Sequence, residues 1–132
     1  AERGYLYSSS MKDCDWAYLW EKDQKELPLV ELPNDITMDD FTYYYFTFSD
    51  PAVRCMYPNR EVFGNWKQEF DGLALEGNKI FILKLHPQMI GRASRIGMVG
   101  EFIAYMQNHG AWITTCEDVA RYVQKQNGGN RA

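Results

Sequence analysis

The chain has 132 residues, a formal net charge of −4 and 45% hydrophobic residues. That suits one domain with a substantial core and excludes wholesale disorder. Asp and Glu number 18 against 14 Lys and Arg, which argues against nucleic-acid binding, where basic residues should prevail.

In chain order, Tyr5 and Tyr7 alternate around Leu6 and predict a short strand before a serine cluster. Met11 to Glu26 is polar but rich in Trp and Tyr. Pro28 to Pro33 is a short apolar segment between prolines, suited to an edge strand or an extended crossing. Asp39-Asp40 leads into Phe41 to Phe48, whose aromatic and β-branched character predicts extended backbone. Ser49 to Asn59, with two prolines, reads as loop.

From Arg60 the pattern is regular. Val62, Phe63, Trp66, Phe70 and Leu73 recur at helical spacing, and Gly77-Asn78 stops that helix. Ile80 to Leu85 predicts a buried strand of parallel type, ended by His86-Pro87. Ser94 is placed to cap a helix striped by Ile96, Val99, Ile103 and Met106. His109 falls at its end. Ala111 to Thr114 predicts another buried strand, and Thr115 with Asp118 a capping pair for a last helix to about Gln126. The chain thus divides into a loop- and strand-rich 1–58, an αβαβα stretch over 59–126 and a tail over 127–132. The fold class is α/β.

No basic segment followed by an apolar one opens the sequence, and no apolar run is long enough to span a bilayer. The expectation is a cytoplasmic protein without membrane association. Cys14, Cys55 and Cys116 are odd in number and far apart, as reduced thiols would be.

His86 is the leading candidate for chemistry. It follows an apolar strand, where α/β folds place reactive groups, and imidazole titrates near neutrality. Arg92 and Arg95 on the following loop and helix could hold a carboxylate. Asp13, Asp15, Asp39 and Asp40 form two acidic pairs, of which one member could orient His86, or they could ligate a metal. Trp16, Trp20 and Tyr43 to Phe46 suit a flat-substrate wall or a core. The motif for a metallohydrolase pair of histidines, a phosphate loop or a nucleophile elbow is missing from the sequence.

The block Ile-Phe-Ile-Leu-Lys-Leu-His-Pro-Gln-Met-Ile-Gly-Arg-Ala-Ser-Arg-Ile over 80–96 resembles the last block of the polysaccharide deacetylase superfamily, also known as the NodB-homology or carbohydrate esterase family 4 fold. The likeness is greatest to its branch of allantoinase-like and peptidoglycan-deacetylase-like enzymes. Gly4 to Trp16, Leu32 to Asp40, Trp66 to Gly77 and Trp112 to Arg121 are similar to that branch as well. The resemblance implies a distorted (β/α) barrel holding a divalent metal, zinc or similar, through an Asp and a His-x-x-x-His pair. Those ligands belong to the first half of the family's domain and have no counterpart in this chain, which matches the C-terminal half.

What carries over is His86, in the position of the family's general acid, with Arg92 in the Gly-Arg position as support. Asp15 and Trp16 lie near an acidic-aromatic segment that lines the family's site. The resemblance implies a hydrolase of a non-peptide C–N bond, acting on an N-acyl sugar or a small cyclic amide. Half a barrel leaves strand edges and apolar surface uncovered, so a complementary part bearing the metal ligands is expected, from another chain in a hetero-oligomer or from a missing N-terminal half. The alternative is a non-catalytic binding or regulatory subunit with a degenerate half-barrel.

Overall fold

A tight reversal at Asp23-Gln24 organises the first part of the chain in the computed structural model, which describes residues 3–49 and 56–128. Both turn residues have positive φ, 52° and 61°, as a two-residue turn matched to strand twist requires. The turn joins strand β2 (Tyr18–Lys22) to β3 (Lys25–Glu31), antiparallel, with Lys22 opposite Lys25 and Leu19 opposite Val30. The ladder is irregular between Leu19 and Glu21. Strand β1 (Tyr7–Ser8) adds in parallel on the other side, with Tyr7 opposite Val30, giving the order β1-β3-β2.

The Pro28 segment is therefore mostly a central strand, where an edge strand or an extended crossing was expected. Proline is tolerated because β1 pairs only with Val30 and Glu31, so no neighbour on that side needs a proline N–H. Helix α5 (Cys116–Gly128) packs on this sheet, and Gln124 Nε2 donates to the Pro28 carbonyl at 3.0 Å. Its start is the expected pair: the Asp118 N–H donates to Thr115 Oγ1 at 3.2 Å, and the Thr115 hydroxyl returns a bond to the carboxylate at 2.8 Å. These elements, with residues 77–81, make one compact unit.

Val30, Leu32 and Ala120 are buried in this unit, and Glu31 is buried with them at 0% exposure. Its carboxylate accepts the Ser10 and Met11 N–H groups at 2.7 and 2.8 Å and the Trp20 indole N–H at 2.9 Å. Burial alone would raise the Glu31 pKa; donation from Met11, Ser10, Trp20 and Ser8 outweighs it and holds the pKa below the ordinary value. A depressed carboxylate pKa contributes stability above the unfolded-state value that is lost as pH falls through the folded-state one. Glu31→Gln is expected to cost about 1–3 kcal/mol at pH 7, since an amide cannot accept from all three donors. In urea titrations the gap from the unsubstituted chain should narrow as pH falls below 4.5; a constant gap would deny the carboxylate this role.

Helices dominate the second unit, residues 35–76 and 82–112. A 3-10 turn (Ile36–Met38) leads into short α1 (Asp40–Tyr44). Then come α2 (Asn59–Glu76), one-turn α3 (Pro87–Ile90) and α4 (Ala93–Asn108). The apolar face of α2 buries Val62, Trp66 and Phe70 against the α4 face carrying Met98, Val99, Phe102 and Met106. Gly77 and Asn78 end α2 with positive φ, as expected. His109 caps α4, its Nδ1 2.8 Å from the Tyr105 carbonyl oxygen.

Four local expectations are corrected. Phe41 to Phe48 is not extended throughout, because the Asp39 carboxylate accepts the Phe41 N–H at 2.9 Å and starts α1; this cap overrides β propensity. Ile80 to Leu85 forms no ladder beyond a parallel bridge between Lys84 and Asp39. Ala111 to Thr114 is neither paired as a strand nor buried: Trp112 is 61% and Ile113 48% exposed. Strand character in both segments needs a partner backbone, which the described residues do not supply. Arg92, not Ser94, caps α4, and no side chain completes that cap. Of the proline-rich loop, residues 50–55 with Cys55 lie outside the described residues, as do 129–132 of the tail. Cys14 and Cys116 are free thiols, and no described helix is long and apolar enough to cross a membrane.

Candidate active site

The parallel bridge brings two sequence-distant segments together. Lys84 N–H donates to the Met38 carbonyl at 2.8 Å, and Asp40 N–H donates to the Lys84 carbonyl at 3.1 Å. Two residues further on, His86 arrives beside the start of α1. Pro87 at the first position of α3 limits the backbone there. At the far end of that turn the Gly91 N–H donates to the Pro87 carbonyl at 3.0 Å, and a Cβ on Gly91 would collide with that oxygen. This contact explains the glycine between His-Pro and Arg.

Asp40 grips His86 at two points. Its Oδ2 accepts the His86 backbone N–H at 2.9 Å, and its Oδ1 lies 2.6 Å from His86 Nδ1. Asp40 has no solvent exposure, whereas the His86 side chain is 38% exposed. A buried carboxylate against Nδ1 fixes the tautomer with its proton on Nδ1, which leaves Nε2 available for exchange with a substrate. The Phe41 ring, 4.7 Å away and tilted at 55°, flanks the imidazole. The arrangement is that of an oriented proton carrier: an anchored carboxylate holding Nδ1 of a part-exposed imidazole.

Asp39 extends the cluster. Its Oδ1 accepts the Phe41 N–H and lies 3.5 Å from His86 Nδ1, while its Oδ2 pairs with Lys84 Nζ at 3.2 Å. Asp39, Asp40 and His86 each place one ligand atom within 4.8 Å of the others, so they are a group that could gather round a metal ion. The detailed spacing does not suit one. Ligands on a tetrahedral zinc sit about 3.4 Å apart, given bonds near 2.1 Å, and the 2.6 Å between Asp40 and His86 is a hydrogen-bond distance.

The acidic pair at 39–40 is thus the one beside His86. Arg92 is exposed at the α4 cap. Arg95 stacks on the Tyr44 ring at 3.8 Å and donates to the Met89 carbonyl at 2.7 Å, so it braces α3. Asp15 and Trp16 belong to the other unit; the Asp15 carbonyl accepts the Ile80 N–H at 2.9 Å, and Lys79 Nζ lies 5.0 Å over the Trp16 ring. Trp20 serves Glu31 rather than an open wall. Lys84 and Phe41 were not singled out from sequence. The only signal for Lys84 was a charge inside an apolar run, two residues before His86.

No family model matches this sequence, and no curated protein matches it. Solved structures do. A protein assigned as a polysaccharide deacetylase from Mycobacterium smegmatis superimposes with a TM-score of 0.83 at 26% identity, over 96% of this chain and 44% of that one. Another so assigned, from Pseudomonas aeruginosa PAO1, gives 0.77 at 27% identity over 95% of this chain and 41% of its own. Puue allantoinase gives 0.75 at 27% identity, over 91% and 39%. The chain spans less than half the length of each.

Proposed function

Since this chain is a partial polysaccharide-deacetylase-like domain, we propose that it forms part of a metal-dependent hydrolase of a non-peptide C–N bond. His86 is the general acid in this reading, and the divalent metal is held by a complementary part of the domain. The observation that carries the reading is the two-point Asp40–His86 contact. The likeness to structures named as deacetylases and an allantoinase supports it.

Within the chain the chemistry is a proton transfer. When the C–N bond of the tetrahedral adduct breaks, the leaving nitrogen takes the bonding pair and the proton from His86 Nε2. The imidazolium becomes neutral imidazole, Asp40 holds the ring throughout, and solvent returns the proton. Asp40 orients the imidazole and balances its charge while it is protonated. Phe41 presents an apolar ring beside it, suited to either a pyranose face or a flat heterocycle. Arg92 supports the loop after His86.

The test is to assemble the chain with a complementary half carrying an Asp and a His-x-x-x-His pair, load zinc, and offer two substrates. Acetate release from N-acetylglucosamine oligomers, or ring opening of a cyclic ureide, is expected. An assembled, metal-loaded protein that binds these compounds but turns over neither would favour the non-catalytic subunit instead.

A further inference from the structure

Two adjacent carboxylates at the start of α1 share very little solvent. Asp40 has none, and Asp39 is 18% exposed. Such a cluster needs compensating positive charge, because uncompensated carboxylates in a low-dielectric site repel each other and lose hydration. Asp40 is met by the His86 ring. Asp39 is met by Lys84 Nζ at 3.2 Å. Lys84 is also fixed at its root, since its own N–H and C=O make the bridge to Met38 and Asp40. Its ammonium therefore starts from a set point beside Asp39 rather than from a mobile loop.

We infer that Lys84 is the resident cation of this cluster, a positioning residue that neutralises Asp39, closes the cluster to divalent ions and leaves Asp40 to His86 alone. The geometry shows what its loss would release. Asp39 Oδ1 lies 3.5 Å from His86 Nδ1, a separation that two ligands of one zinc ion do adopt. Without the ammonium, a divalent ion could take Asp39 and compete with Asp40 for Nδ1. The ring would then be a ligand instead of an oriented proton carrier. The inference goes beyond the hydrolase reading, because its readout is metal affinity and not turnover.

The test uses the 132-residue chain and zinc chloride, with binding followed by calorimetry and metal content. The unsubstituted chain and Lys84→Arg should bind zinc no more tightly than His86→Ala does, a comparison that removes any contribution from His109 or the cysteines. Lys84→Met should gain one site at least tenfold tighter, and adding His86→Ala to it should abolish the gain. A zinc site in the unsubstituted chain that His86→Ala removes would overturn the inference, as would a Lys84→Met chain that gains nothing. Should Lys84→Met fail to fold by circular dichroism, the His86 ring nitrogens of the unsubstituted chain decide by NMR. Their shifts should stay unmoved by zinc, and movement would refute the role of Lys84. Turnover failing while these results hold would count against the hydrolase reading alone.

Discussion

If the chain works in the proposed hydrolase, replacing His86 by Ala in the assembled, metal-loaded protein is expected to lower kcat by about 10²–10⁴-fold with a small change in KM. That is the contribution of a positioned proton donor to a step in which the leaving nitrogen would otherwise depart as an anion. Asp40→Asn should produce a loss of similar order, about 10²–10⁴-fold, although Asp40 touches no substrate. The carboxylate accepts two N–H groups of the same residue, at 2.9 Å from the backbone and 2.6 Å from the ring. An asparagine offers one oxygen and an NH₂ in that place. Either the backbone N–H loses its acceptor or Nδ1 must become the acceptor, which moves the ring proton to Nε2 and fixes the wrong tautomer. The double substitution should be little worse than His86→Ala alone, because the two act as a unit. Additive losses in steady-state kinetics would show that Asp40 acts separately, and unchanged turnover in His86→Ala would remove the general-acid role.

The largest effect on stability is expected from Trp66→Ala, about 3–5 kcal/mol in the helical unit. Trp66 is completely buried. Its ring meets Tyr43 edge-on at 6.2 Å and Phe102 at 6.1 Å, and its indole N–H donates to the Thr37 carbonyl at 3.2 Å. Truncation opens a cavity among rigid aromatic neighbours and also strands a carbonyl next to the turn that leads to Asp39. Small domains hold only about 5–15 kcal/mol in total, so this substitution should approach unfolding. Trp66→Phe retains most of the volume and loses the hydrogen bond, and about 1–2 kcal/mol is expected. Urea denaturation followed by circular dichroism measures both. A shift under about 1 kcal/mol for Trp66→Ala would mean that α2 and α4 do not share this core.

Local signals carried far in the helical parts. The three- and four-residue spacing of Val62, Trp66 and Phe70, the Gly77-Asn78 stop and the Thr115–Asp118 cap each lie within one helical turn or at its end. Their physics is complete inside a short window. The β2–β3 hairpin was not legible because Asp23-Gln24 lacks the usual glycine. Phe41 to Phe48 misled because its composition favours strand, while one carboxylate at Asp39 decides the backbone. Ile80 to Leu85 and Ala111 to Thr114 have strand composition but meet little backbone with which to pair. Pairing is a property of two segments, and a single segment cannot show it.

By itself the sequence determined the three long helices and the likeness to the deacetylase fold, and it singled out His86 as a candidate. It also narrowed the orienting groups to two acidic pairs without choosing between them. Only tertiary structure decided that Asp40 is the residue gripping His86, across 46 positions of sequence separation, and that Lys84 answers Asp39. The reason is that a helix cap is set by neighbours in sequence, whereas charge compensation is set by distance and exclusion of water. One parallel bridge brings those four side chains within reach of one another, and no local pattern encodes it.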